Sequence, residues 1–336
     1  MATPDLTVMG AGVFGLSVAW AAARRGARVR VIDPHDPGAG ASGGLVGALA
    51  PHVPEQWNEK KQFQLESLLM AAGWWAGVAA AGGVDPGHAR VGRWQPLADA
   101  RAVEQARARA AGAAALWRGA ADWRVVPAAQ GGWAPPAPSG WMVEDTLSAR
   151  LSPRRGVAAL VAAIRARGGE VLADGAAAGP VVWATGAAGL RAMGAGDGVK
   201  GQALALRLNA ADRPQIYADG LHIVPHADGT VAIGSTSERV YDAPDTVDGQ
   251  LDALHARAVA LLPCLAGAPV VARWAGERPR AKSRAPLLGP WPGRAGHFVA
   301  NGGFKIGFGV APKVGEVMAD LVLDGRDAIP EGFRTG

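Results

Sequence analysis

Three glycines, Gly10, Gly12 and Gly15, stand at G-x-G-x-x-G spacing behind the apolar run Leu6–Met9, and an acid, Asp33, follows at the end of the next apolar run. A bound dinucleotide needs this order. Gly10 permits a tight turn from strand to helix, Gly12 has no side chain to hold a pyrophosphate off the backbone, and Gly15 lets the helix lie close on the strand. The helix N-terminus presents unpaired N–H groups and a partial positive charge to phosphate. The Asp33 carboxylate can accept both hydroxyls of an adenosine ribose. No Arg or Lys adjoins it in Pro34-His35-Asp36 to hold a 2′-phosphate, which argues against NADP and leaves FAD or NAD. A second glycine-rich stretch, Gly302–Gly309, carries one cation, Lys305, in apolar company. Arg278, Arg280, Lys282 and Arg284 form a basic run. An arginine there offers a planar fork that matches a carboxylate, while the run also reads as a solvated face.

The elements that must position these residues follow from the hydrophobic pattern. Leu6–Met9 reads as a buried parallel strand, Phe14–Arg25 as an alanine-rich helix closed by Gly26, and Ala27–Ile32 as a second strand. Helices are expected over Lys60–Ala81, Ala102–Trp117, Ser152–Arg167, Thr246–Leu262 and Val310–Leu323. Glu170–Leu172 and Gly179–Trp183 read as short strands, the second running into Ala184-Thr185-Gly186-Ala187, where small residues allow close contact with a cofactor. Gln202–Leu208, Leu221–Pro225, Thr230–Gly234 and Val270–Ala275 read as antiparallel strands. Asp228-Gly229 is a hairpin signal between two of them. The expected class is α/β (α+β overall): a Rossmann-type FAD-binding domain from residues 1–80, 145–200 and 280–336, with an inserted antiparallel-sheet substrate domain from 81–144 and 201–279. Trp94, Trp117, Trp123, Trp133 and Trp141 are assigned mainly to core and domain contacts.

With 336 residues, 49% hydrophobic and 19% charged, the chain has the composition of a globular protein large enough for two domains. The charge of +5 is spread out and mildly favours anionic small molecules. The single cysteine, Cys264, excludes an internal disulfide and a cysteine-cluster metal site, and fits a reducing compartment. No signal peptide or membrane span is read, so the expected location is the cytoplasm. Pro225 between His222 and His226 argues against a shared helical face for metal.

In order along the chain, GAGVFG, ASGGLVGALAP, VVWATGA, VKGQ, IVPHADGTVAIGSTSE, WAGERPR and NGGFKIGFGVAPKVGEVMADL together resemble the D-amino acid oxidase superfamily, with glycine oxidase and monomeric sarcosine oxidase the nearest-looking members. The resemblance implies FAD, and oxidation of an amine or amino acid by hydride transfer from the α-carbon to flavin N5, followed by imine hydrolysis. Oxygen or another acceptor would reoxidise the flavin. It places Ser42, Gly43, Gly44, Val171, Thr185, Gly186, Gly302, Gly303, Phe304, Lys305 and Ile306 at the cofactor beside Gly10, Gly12, Gly15 and Asp33. Lys305 matches a lysine that binds the substrate carboxylate in sarcosine oxidases, and Arg278 stands where glycine oxidases carry an arginine for that purpose. No cysteine is present in this region to attach flavin, so the FAD is expected to be noncovalent. His222 occupies a position resembling an active-site tyrosine. With a pKa near neutrality it would accept a proton from the substrate ammonium, or be a strand-end histidine with no such role. Ser237 and His52 are further pocket candidates. The segment between Glu170 and Trp183 is shorter than is usual in the family. The partner expected is a small carboxylate-bearing amine or amino acid, with no membrane. Two alternatives stay open: an NAD-linked dehydrogenase, and a flavoprotein acting on a modified RNA base through the basic run.

Overall fold

The computed structural model describes residues 3–335. In chain order its main elements are β1 (Leu6–Met9), α1 (Val13–Ala23), β2 (Val29–Ile32), β3 (Ala48–Leu49), α2 (Glu59–Gly82), β4 (Arg93–Pro96), α3 (Ala100–Trp117), β5 (Trp123–Pro127), β6 (Trp141–Asp145) and β7 (Ala149–Arg150). There follow α4 (Pro153–Ala166), β8 (Glu170–Leu172), β9 (Val181–Trp183), α5 (Gly186–Ala192), β10 (Gly196–Arg207), β11 (Gln215–Ala218), β12 (Leu221–Pro225) and β13 (Thr230–Gly234). The chain closes with α6 (Gly249–Leu261), β14 (Val270–Ala281), β15 (Leu287–Pro290), β16 (His297–Asn301) and α7 (Gly307–Asp324).

One sheet has the order β15-β16-β9-β1-β2-β8, parallel except for β15. Its centre is β1, whose run is apolar because both faces are covered. All eleven residues of α1 are buried, which explains why that helix shows no polar stripe. It packs against β1, β2, α4 and α7. Gly15 makes the approach possible, since a Cβ there would overlap the Gly10 carbonyl.

The second sheet has the order β14-β10-β13-β12-β11-β4-β6-β5, antiparallel except where β11 runs beside β4. Side chains alternate across it. Ile216, Ile223, Val231 and Ile233 point into a core completed by Leu251, Leu254 and Ala258 of α6. Their neighbours Tyr217 and His222 take the opposite face and reach a cavity.

The structure departs from the expected boundaries in three instructive places. The strand expected at Gln202–Leu208 starts at Gly196, and the one expected at Val270–Ala275 continues to Ala281. Glycines hide this in the sequence because they weaken strand propensity. Here Gly198 and Gly201 leave room for Glu277 and Arg278 of the paired strand. The helix expected from Val310 begins at Gly307, where burial of Val310, Ala311, Val314 and Val317 offsets the helix cost of Gly307 and Gly309. Trp117, Trp123 and Trp133 are buried core residues, as read. No described helix is long and apolar enough to cross a membrane.

Candidate active site

A cavity of about 1010 Å³ lies between the two sheets. Its nucleotide end is built by β1, α1 and β2. Gly10 adopts φ +109° and a Cβ there would stand 2.5 Å from the Ala184 carbonyl oxygen, so only glycine fits the turn. At Gly12 a Cβ would approach Ser42 Oγ to 3.3 Å, filling the space between the helix N-terminus and the 38–44 loop. The Ser42 hydroxyl accepts the Val13 N–H at 2.9 Å and so ties loop to helix. Asp33 accepts the Ala11 N–H at 2.7 Å and the His35 N–H at 3.0 Å on its two oxygens. Each oxygen keeps a lone pair for a ribose hydroxyl. Ala184, Thr185 and Gly186 close the floor. These residues fit an adenine dinucleotide: small side chains, a helix N-terminus turned toward the cavity and one anchored carboxylate.

Gly302, Gly303, Phe304, Lys305 and Ile306 line the cavity, and so do Gly307 and Gly309 at the start of α7. The α7 N-terminus therefore faces the same space as that of α1. Gly43 and Gly15 do not line it. Gly43 supports the loop, its carbonyl accepting Arg154 Nε at 2.9 Å, and Gly15 acts through helix packing. Val171 also lies away from the lining. It pairs with Val31 on the far side of β2 and packs on the main core, so the side chain does not reach the cavity that Val171 was expected to line.

Arg278 is 8% exposed and lines the cavity. Its Nη1 donates to Ser235 Oγ at 2.7 Å, and its Nη2 to the carbonyls of Thr236 at 2.6 Å and Lys200 at 3.2 Å. Its Nε is buried with no hydrogen-bond partner among the described residues. Burial lowers its pKa to about 10 even though Glu238 opposes the shift. No carboxylate pairs with it among the described residues. The solvated reading of the basic run thus fails at Arg278 and holds for Lys282 and Arg284, which are exposed. Phe304 takes φ +42°, and Arg278, Arg280 and Lys305 each stand 5.7 Å from its ring centre. Burial and the two guanidinium groups hold the Lys305 ammonium below the usual lysine range. Three cations around one aromatic ring, none paired with an acid among the described residues, make an anion-seeking corner.

His222 reaches the cavity, in surroundings that disfavour the proton-accepting role expected for it. Burial, then Arg93 and Lys305, push it to about 3, so the imidazole is neutral at physiological pH. His52 also lines the cavity. Its ring nitrogen and N–H meet Gln64 Oε1, and burial lowers its pKa. Ser237 is exposed and outside the lining; Ser235 stands there instead. Sequence reasoning missed Arg93, Gln95, Tyr217 and Ser235. A signal for Tyr217 existed. Asp219 (φ +50°) and Gly220 (φ +77°) form the two-residue hairpin turn that pairs Tyr217 with His222, the same dipeptide signal that was read at Asp228-Gly229.

The profile of the DAO family, described as FAD dependent oxidoreductase, matches residues 5–321. The chain is 37% identical to the glycine oxidase of Pseudomonas putida over 142 residues, 40% of this chain and 39% of that protein. It is 25% identical to the bifunctional protein ThiO/ThiG of Trichormus variabilis over 354 residues, 96% of this chain and 53% of that protein. The match thus spans from about two fifths to about half the length of these curated relatives. Glycine oxidase from Geobacillus kaustophilus superposes with a TM-score of 0.83 at 23% identity, covering 99% of this chain and 98% of that one. Iminodiacetate oxidase from Chelativorans sp. BNC1 gives 0.83 at 21% identity and 98% coverage of both chains. These two share the fold. With the family profile running almost end to end over a cavity of this construction, the chain belongs to the DAO family of FAD-dependent oxidoreductases.

Proposed function

We propose that this protein oxidises a carboxylate-bearing amine or amino acid at the carbon that carries nitrogen. The observation behind this reading is Arg278, a buried guanidinium with no acidic partner among the described residues, in the same cavity as the nucleotide cradle. Gly10, Gly12, Ser42, Asp33, Thr185 and the 302–309 segment would hold FAD, which when bound supplies the acceptor for a hydride. Arg278 and Lys305 would bind the substrate carboxylate, a charge-assisted contact that fixes which carbon faces the cofactor. The same cations disfavour a second positive charge beside them, so they favour the neutral amine that must give up the hydride. With its pKa pushed down by burial, His222 is too weak a base to take the amine proton, which passes to water. Loss of hydride and of the N–H proton leaves an imine, which water hydrolyses to a carbonyl compound and ammonia or an amine.

The test is to load the protein with FAD, exclude oxygen and add a panel of amines and amino acids while reading the visible flavin band. Bleaching by carboxylate-bearing amines supports the reading, and peroxide formed under air would assign oxygen as the acceptor. No bleaching by any of them overturns it.

A further inference from the structure

On the cavity face of the second sheet, three neighbouring strands place four polar side chains together: Arg93 and Gln95 on β4, Tyr217 on β11 and His222 on β12. The Tyr217 and His222 rings lie 4.7 Å apart, and the Arg93 guanidinium stands 5.7 Å from the Tyr217 ring centre. Arg93 spends its Nε on Asp145 at 2.8 Å, and Asp145 is further held by Ser148, so that ion pair is fixed in place with Arg93 5% exposed. Gln95 Nε2 and His222 Nδ1 are buried with no hydrogen-bond partner among the described residues. Each such group costs free energy if it stays unpaired, and two on residues that line one patch of cavity wall point to a ligand that pairs them. A substrate with a single carboxylate, held by Arg278 and Lys305, leaves this patch empty-handed. The surroundings favour an anion. The cavity acids are engaged or remote: Asp33 at the nucleotide end, Glu277 bound by Arg191 and Tyr241, and Asp245 exposed on its loop.

We propose that the substrate carries a second acidic group, and that Arg93, Gln95, Tyr217 and His222 form its recognition site. The substrate class is then a dicarboxylic amine, either an acidic amino acid or an amine bearing two carboxyalkyl arms. Gln95 Nε2 and the Tyr217 hydroxyl donate to the distal carboxylate, while Arg93 offers the N–H groups that Asp145 leaves free and the neutral imidazole donates through one nitrogen. This inference rests on the amine-oxidation reading for its chemistry but not for its binding test.

The FAD-loaded protein is titrated with propionate, butyrate and valerate, and with malonate, succinate and glutarate, following the shift of the visible flavin band. The best dicarboxylate is expected to bind at least tenfold more tightly than the monocarboxylate of equal length. Gln95→Leu should cut that ratio to within about twofold. Gln95→Glu, nearly the same size with an added negative charge, should abolish it, and this variant serves if the leucine variant fails to load FAD. Equal binding of both classes by the wild-type protein overturns the proposal, and so does a preference that survives in either variant. Dicarboxylate preference without turnover of any amine would support this site and refute the amine-oxidation reading. Turnover of amines with no dicarboxylate preference would do the reverse.

Discussion

Arg278 and Lys305 differ in what their removal should do. The Arg278 fork is already oriented by Ser235 and Thr236, so it meets a ligand with little loss of freedom. Arg278→Ala is predicted to lower kcat/KM for a carboxylate-bearing amine by about 2–5 kcal/mol, on the scale seen when one partner of a buried, hydrogen-bonded charge pair is truncated. Steady-state kinetics on the FAD-loaded variant checks this, and a change below threefold would take Arg278 out of substrate binding. Lys305 is instead a titratable point charge whose pKa is depressed by burial and by Arg278 and Arg280. As pH rises through that depressed value the ammonium is lost, so KM for acidic substrates should climb on the alkaline side. Lys305→Arg keeps the charge and should move the climb to higher pH. An unchanged KM–pH profile would show that the limb belongs to another group.

At the scale of elements, the long pair β10 and β14 carries the site. Val199 lies opposite Arg278, and Gly201 leaves the volume that the guanidinium fills. Gly201→Ala is therefore predicted to displace Arg278 and to raise KM for carboxylate substrates at least tenfold, although Gly201 itself has no polar side chain. FAD content and KM measured together check this, and a wild-type KM would mean that the guanidinium has room to spare. This pair also shows why part of the site was hard to read. Glycines at 196, 198 and 201 look like a loop until the strand that needs their emptiness is known, so Gln202–Leu208 was the visible part of a longer strand. By contrast Leu6–Met9, α1 and Asp33 were legible because each residue type there has one local reason and the spacing is short. Arg93 and Gln95 lie on β4, more than a hundred residues before Tyr217 and His222 in the chain, and only the pairing of β4 with β11 brings them together. Ser235 was missed because it lies just past the end of β13, where no strand period says which side chain faces the cavity.

Across the whole molecule, the buried histidines couple stability to acid. His222 is pushed to about 3 and His88 to about 4, mainly by burial. Both folded values lie below the unfolded value near 6.5. Between these values the unfolded chain binds the extra proton, so stability is full above pH 6.5 and is lost as pH falls. From pH 6.5 to 5 each histidine should cost about 2 kcal/mol. Denaturant unfolding of the FAD-loaded protein at pH 7 and pH 5 should show the loss, and His222→Gln or His88→Gln should each shrink it. An equal loss in both variants would place the acid sensitivity elsewhere. At this scale the architecture was readable: an N-terminal nucleotide unit, an antiparallel sheet and a closing helix were all visible as changes of hydrophobic period. The exposure of individual basic residues was not visible, because Arg278 and Lys282 look alike in sequence and differ only in what β10 places over them.

The account depends on the cofactor cradle and the cationic corner serving one reaction space. A crystal structure of the FAD-loaded protein soaked with succinate tests this directly. The account predicts the flavin ring against the 302–309 segment, with one succinate carboxylate on Arg278 and Lys305. A flavin ring turned away from Lys305, or a succinate bound without Arg278, would contradict it.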